Sequence, residues 1–199
     1  MRNQEMLGYA VCKTDEEKLY GEFCQKAEAI SAVVHRVPDF SGAARIIAGL
    51  AKDLGVKKIV AAATPLVIKT DLEGVLEGTP VYQDNLRLHA AGADMGISEA
   101  DLAIAETGTL AHHANGIDGR LVSMLPPVHV ALIRTDSLVA SLRDAIEQYG
   151  RNAGSLPGYL TFISGPSRTA DIERVLTIGV HGPEILHVIF IESPGGDGR

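Results

Sequence analysis

The sequence predicts an α/β protein with a mainly parallel sheet and antiparallel hairpins attached to it. Segments of helical period alternate with short apolar runs through most of the 199 residues, the pattern of a parallel sheet covered on both faces. The runs 159–163 and 185–191 are short, rich in β-branched and aromatic residues and bounded by Gly and Pro, which favours buried inner strands over helices. Residues 102–133 break the alternation, because several strand-like segments there follow one another without a helix between them.

In chain order, Leu19, Phe23, Ala27, Ile30 and Val33 recur every three or four residues across 15–33, an amphipathic helix. A short strand over 33–37 follows, and residues 38–41 open a second helix with the stripe Ile46, Ile47, Leu50 and Leu54, closed by Gly55. Residues 57–63 read as a strand. Thr64 and Pro65 suit a cap and a first-turn proline, predicting a helix over 66–76 that Gly74 weakens. Residues 81–83 suit an edge strand, and 86–91 fit either class.

In the centre, an apolar strand from Leu102 enters the turn Glu106-Thr107-Gly108-Thr109, and 110–113 is its return. Residues 120–124 and 128–133 supply two more strand candidates, separated by Pro126 and Pro127, which break pairing. After residues 135–137 a helix is predicted, with Leu138, Leu142, Ala145, Ile146 and Tyr149 on one stripe and Gly150 at its end. The 159–193 stretch then reads as strand, loop, helix, loop, strand. Gly165 allows a tight turn, and Ser167 or Thr169 caps the first amides of the helix.

A loop of this kind leaves N–H groups facing outward for an anion, with Arg168 adding a fork of donors. The competing reading is structural: Asp171 and Glu173 already satisfy the helix dipole, and Arg168 pairs with Asp171. One small monoanion fits such a site better than a polyphosphate.

Composition excludes several classes. Hydrophobic residues make up 46%, charged residues 22%, and the formal charge is −7, a profile that disfavours disorder and a nucleic-acid surface. Cys12 and Cys24, with no His neighbour and no C-x-x-C spacing, hold neither an iron–sulfur cluster nor a structural zinc by themselves. No stretch has the length of a signal peptide core or a membrane span, so a cytoplasmic, reduced protein is expected. The nucleophile-elbow, P-loop and dinucleotide fingerprints are absent.

Among candidate chemical groups, Glu106 sits where an apolar strand meets a glycine turn. There it acts as a base or nucleophile, or it accepts amide hydrogen bonds from its own turn, helped by Thr107 and Thr109. His112 and His113 are adjacent on a strand and point to opposite faces, so they do not share one ion. His129 and His187 lie in apolar strands, as core residues or beneath a site. His181, flanked by glycines in Gly179-Val180-His181-Gly182-Pro183, is the histidine best placed for ligand contact or proton transfer.

Five blocks occur in collinear order: residues 105–110 (AETGTL), 119–121 (GRL), 125–129 (LPPVH), 164–173 (SGPSRTADIE), and 179–183 (GVHGP) with 186–188 (LHV). Together they resemble the lactate utilisation protein C family, the LUD domain, over 98–191, within one domain spanning 1–199. The resemblance implies a three-layer α/β/α fold similar to the sugar-phosphate isomerase and CoA-transferase (NagB/RpiA-like) group. It also implies a subunit that works in oxidising L-lactate to pyruvate alongside iron–sulfur partner subunits, with no cofactor in this chain.

On that reading Arg168 clamps a small carboxylate, and the Ser164 to Thr169 loop, with Ser167, Gly165 and Gly182 nearby, donates amides. Thr107, Gly108 and Thr109 complete the contact, while Glu106 or His181 handles a proton. The rival readings are a stand-alone enzyme of the same fold group acting on a sugar phosphate or CoA thioester, and a pure assembly module; homo-oligomerisation stays open. One departure matters: after the Glu106 turn the family usually carries small or aliphatic residues, whereas this chain has His112 and His113. If that segment lines the pocket, the ligand could differ from lactate.

Overall fold

A computed structural model describes residues 13–76, 78–113, 116–151, 158–170, 176–178 and 182–192, with 13, 14, 168–170 and 176–178 through their backbone only. Six strands form one parallel sheet: β1 (Ala32–Val37), β2 (Ile59–Ala61), β3 (Val81–Tyr82), β4 (Met95–Glu99), β7 (Val128–Arg134) and β12 (Ile185–Ile191), in the order β1-β12-β7-β4-β2-β3. A second sheet has the order β8-β5-β6-β9, from β5 (Leu102–Ile104), β6 (Thr109–His113), β8 (Leu138–Val139) and β9 (Leu160–Ile163). Its β5–β6 and β6–β9 pairings are antiparallel. The fold is therefore mixed α/β with a mainly parallel sheet and antiparallel strands beside it.

Strand alternation divides the core. Val128, Val130 and Leu132 of β7, with Ile189 and Ile191 of β12, face α2 (Phe40–Asp53) and α3 (Pro65–Lys69). Ala131 and Ile133, with Leu186, Val188 and Phe190, face the other way, onto Phe23 and Ala27 of α1 (Lys13–Ala29) and Ala103, Ala105 and Leu110 of the small sheet. Phe23 and Tyr20 meet Phe190 edge-to-face, each with centroids 5.2 Å apart, the favoured aromatic geometry. The outer face of the small sheet is closed by α6 (Leu142–Arg151) through Ala145 and Tyr149.

Local signals account for several boundaries. Asp39 caps α2 by accepting from Gly42 N at 2.6 Å. Pro65 opens α3 as predicted, but the Thr64 side chain makes no cap. The Leu66 amide is bound by Glu99 Oε2 at 2.9 Å instead. The chain leaves the α region at Asp71 (φ 45°), and α3 stops at Lys69, short of the predicted 76.

Other sequence expectations need correction: α1 ends at Ala29, so Ile30 and Val33 lie beyond it, Val33 in β1. Residues 117–124 form α5 (Ile117–Met124), not a strand; Val122 and Ser123 alone are buried in it, so its apolar signal is a one-sided helix stripe. Leu138 belongs to β8, because it pairs beside Ala103. Residues 160–163 form an edge strand, partly exposed, rather than an inner one.

The helix predicted after Ser164 is replaced by two strands. Arg168–Ala170 (β10) pairs antiparallel with Leu176–Ile178 (β11), Thr169 lying opposite Thr177. Residues 168–170 are therefore extended where a helix start is predicted, and the backbone ladder with 176–178 outweighs the local helix-start signals. β4 carries no strand prediction: Met95-Gly96-Ile97-Ser98 lacks a β-branched run, yet all four are buried between two layers.

Gly96 sets how closely α5 approaches β4. A Cβ there would sit 2.0 Å from the Val122 carbonyl oxygen. Gly96→Ala is expected to push α5 off the sheet and cost about 3 kcal/mol, at the upper end of overpacking penalties, read as a lower urea midpoint.

Two histidines are built into the sheet uncharged. His129, 1% exposed, shares a hydrogen bond between Nε2 and Ser98 Oγ at 2.8 Å, and burial, then the neighbouring His112, pushes its pKa down to about 3. His187 contacts His35 ring to ring, with Nδ1 and Nε2 3.1 Å apart; burial, then His35, lowers it to about 4. Both folded values lie below the ordinary 6.5, so the unfolded chain takes up protons first as pH falls. Stability is complete above about pH 6.5 and is lost by about 1.4 kcal/mol per pH unit for each histidine, down to about 4 for His187 and about 3 for His129. Urea unfolding across this range should show that acid limb, and His129→Gln should flatten it.

Candidate functional site

The path of the chain creates a crevice between two neighbouring strands. After β2 the chain turns to α3 on one face of the sheet, whereas after β4 it turns to the small sheet on the other. Ligands of open α/β sheets bind where the carboxyl ends of adjacent strands diverge in this way. A cleft of about 320 Å³ lies there, lined by Ala62, Ala63 and Thr64 after β2, Gln83 and Leu86 after β3, His112 and His113 of β6, and Gly116, Asp118 and Gly119 at the start of α5. Its volume is at the small end for ligand pockets.

Three features give the cleft chemistry. His112 is 3% exposed; Nδ1 meets the Glu99 carbonyl at 2.8 Å while Nε2 is buried without a partner among the described residues. Thr64 Oγ1 is likewise buried and without a partner among the described residues. Such groups cost free energy unless something supplies the missing hydrogen bond. The first turn of α5 opens on the same space, and among the described residues no side chain caps it at Gly116, which leaves its amides to suit an acceptor. Asp118 in that turn places a negative charge on the wall, which opposes a multiply charged ligand more than a monoanion.

His113, on the opposite side of β6, is anchored differently. Its Nδ1 contacts Asp101 Oδ1, and its backbone N–H donates to Asp101 Oδ2 at 2.6 Å. The two adjacent imidazoles leave the strand in opposite directions and still line one cleft, because β6 ends at its wall. Among the described residues no group of three or more His, Cys, Asp or Glu side chains is gathered for a metal ion.

Of the residues singled out from sequence, His112 and His113 line this cleft, whereas Glu106, Thr107, Gly108, Thr109, Ser164, Gly165, Ser167 and Gly182 are not among its lining residues. Glu106 is exposed and accepts from Leu142 N at 2.9 Å, holding the start of α6 rather than bonding within its own turn. Thr107 is exposed, and Thr109 Oγ1 lies 2.8 Å from Ser164 Oγ. Gly108 (φ 63°) packs on the end of α1, where a Cβ would stand 2.3 Å from Ala27 N. Gly165 abuts Ile30 O in the same way.

The Glu106–Thr109 and Ser164–Gly165 turns thus converge on the carboxyl end of α1. Ser167 N donates to Pro183 O at 2.8 Å beside Gly182. Arg168 and Thr169 lie in β10, where the backbone alone is described, and His181, Asp171 and Glu173 lie outside the described residues.

Thr64, Asp101 and Asp118 carried no sequence signal as site residues. Their roles depend on the divergence of β2 and β4, which is non-local. The His112-His113 pair was visible as a departure from the family pattern. Cys24 is a free thiol, and among the described residues no helix is long and apolar enough to cross a membrane.

Comparison with known proteins places this geometry in a family. Lactate utilization protein C 1 of Bacillus mycoides (strain KBAB4) is 40% identical over 107 residues, 52% of this chain and 46% of its own length. Lactate utilization protein C of Shouchella clausii is 43% identical over 93 residues, 46% of this chain and 41% of that one. The Bacillus subtilis (strain 168) protein of the same name is 36% identical over 117 residues, 54% and 48%. The chain spans about half the length of the curated relatives it matches.

The crystal structure of a DUF162 family protein from Deinococcus radiodurans superposes with a TM-score of 0.62 at 22% identity, covering 88% of this chain and 98% of that one. This similarity shows a shared fold. Residues 20–191 match the LUD domain, a span that takes in both sheets and every residue of the cleft, and the chain belongs to the LUD domain family.

Proposed function

We propose that this chain is a subunit of an L-lactate utilisation system, holding a small 2-hydroxy or 2-oxo monocarboxylate in the cleft at the carboxyl end of the parallel sheet. The relatives named for lactate utilisation support the pathway. The observation that carries the site is His112 Nε2, buried and without a partner among the described residues, on a wall shared with the first turn of α5, which no described side chain caps. Amides of that turn suit the carboxylate, and Thr64 Oγ1 and His112 Nε2 suit the oxygen on the second carbon. The family resemblance implies iron–sulfur partner proteins that carry the electrons. Asp118 weighs against a sugar phosphate or CoA thioester, whose phosphates it would repel.

Thermal unfolding against L-lactate, pyruvate, phosphate and coenzyme A tests this. One of the two acids at a hundred times its dissociation constant should stabilise the chain by about 2.7 kcal/mol, several degrees at this size. Thr64→Val, nearly isosteric, and His112→Phe should each abolish the shift. A chain that unfolds cooperatively and responds to neither acid would sink the proposal.

A further inference from the structure

Two imidazoles enter the layer between the sheets with one nitrogen to spare on each. His112 shares its side of β6 with Leu110, which packs onto the parallel sheet. His129 shares its face of β7 with Ala131 and Ile133, which pack toward the small sheet. The rings therefore approach from facing sheets, and consecutive residues of β4 anchor them. His129 Nε2 lies 2.8 Å from Ser98 Oγ, and His112 Nδ1 lies 2.8 Å from the Glu99 carbonyl oxygen. The other nitrogen of each ring, His129 Nδ1 and His112 Nε2, is buried without a partner among the described residues. His129 is 1% exposed and His112 3%. His112 helps to push the His129 pKa down, so the rings are near neighbours that no hydrogen bond joins.

Buried polar atoms of this kind call for a partner, and the surroundings restrict what it is. An imidazole fixed at one nitrogen by a carbonyl or hydroxyl and open at the other is the form in which proteins present histidine to a metal ion. The nearby charge favours a cation. The cleft that His112 lines has Asp118 and neither Lys nor Arg on its walls, and the carboxylates of Glu99 and Asp101 stand at the end of β4 beside it. We infer that His112 Nε2 and His129 Nδ1 are the two protein ligands of a divalent transition-metal site at the inner end of the cleft, its other positions taken by water. Imidazole nitrogen selects ions of the zinc, cobalt, nickel and copper class over magnesium and calcium. Two protein ligands, rather than the four of a structural zinc, make the site an open one, consistent with the absence of a three-residue cluster among the described residues. Ligation displaces whatever proton either nitrogen carries. The inference goes beyond the ligand proposed above and stands without it.

The test is equilibrium dialysis of the untagged full chain, stripped with chelator, against Zn²⁺ and against Co²⁺, for wild type, His112→Phe and His89→Phe. Wild type should take up one equivalent of either ion. His112→Phe should bind at least tenfold more weakly, while His89→Phe, which removes a histidine that does not line the cleft, should match wild type. X-ray absorption of the zinc-loaded wild type should count two imidazoles and oxygen ligands, a readout that stands even if a variant misfolds. Failure to bind one equivalent, equal binding by His112→Phe, or a coordination shell without two imidazoles each overturns the site and leaves buried water as the partner of the two nitrogens. Lactate and pyruvate are absent from these measurements, so either result leaves the carboxylate reading to its own thermal-unfolding test.

Discussion

The two-sided burial of β7 and β12 is the constraint on which the rest of the structure depends. Residues 128–133 and 186–191 are buried throughout, so each strand presents apolar side chains to both faces and neither face can meet water. Helices α2 and α3 cover one. On the other, α1 covers only part, and the small sheet completes the layer through Ala103, Ala105 and Leu110. A sheet in this role has two faces of its own, which is why a further helix, α6, packs outside it.

The family motifs acquire a physical meaning in this setting. The Glu106–Thr109 turn and the Ser164–Gly165 turn both end strands of the small sheet at the carboxyl end of α1, where Gly108 and Gly165 leave no room for a Cβ. Glu106 spends its carboxylate on the first amide of α6. Thr109 and Ser164 join neighbouring strands by their hydroxyls. These residues lock α1, the small sheet and α6 into one unit. The same unit delivers the end of β6, and with it His112 and His113, to the carboxyl end of the parallel sheet.

The cleft draws its chemistry from the second purpose of that junction. Glu99 at the end of β4 bonds the first turn of α3 through its side chain and fixes His112 through its carbonyl. Asp101, two residues on, fixes His113. Strand β4 therefore orients both imidazoles, and Gly96 within it admits α5, whose first turn forms the opposite wall. One short strand coordinates most of the site.

The sequence by itself determined what is local: the period of α1 and α2, the apolar runs of β7 and β12, the β5–β6 hairpin and the collinear family blocks. Each rests on residues within one turn or strand of each other, so propensity and spacing suffice. Tertiary structure decided what is non-local. It assigned β9 and β12, which look alike as apolar runs, to different sheets. It made a hairpin of β10 and β11 where cap residues suggested a helix, and it turned residues 117–124 into a helix because only one side of them meets the core. It also brought Thr64, His112, His113 and Asp118 to one cleft. Side-chain alternation correctly sends neighbouring histidines to opposite sides of a strand, but whether both sides open on the same cavity depends on where that strand ends among its neighbours.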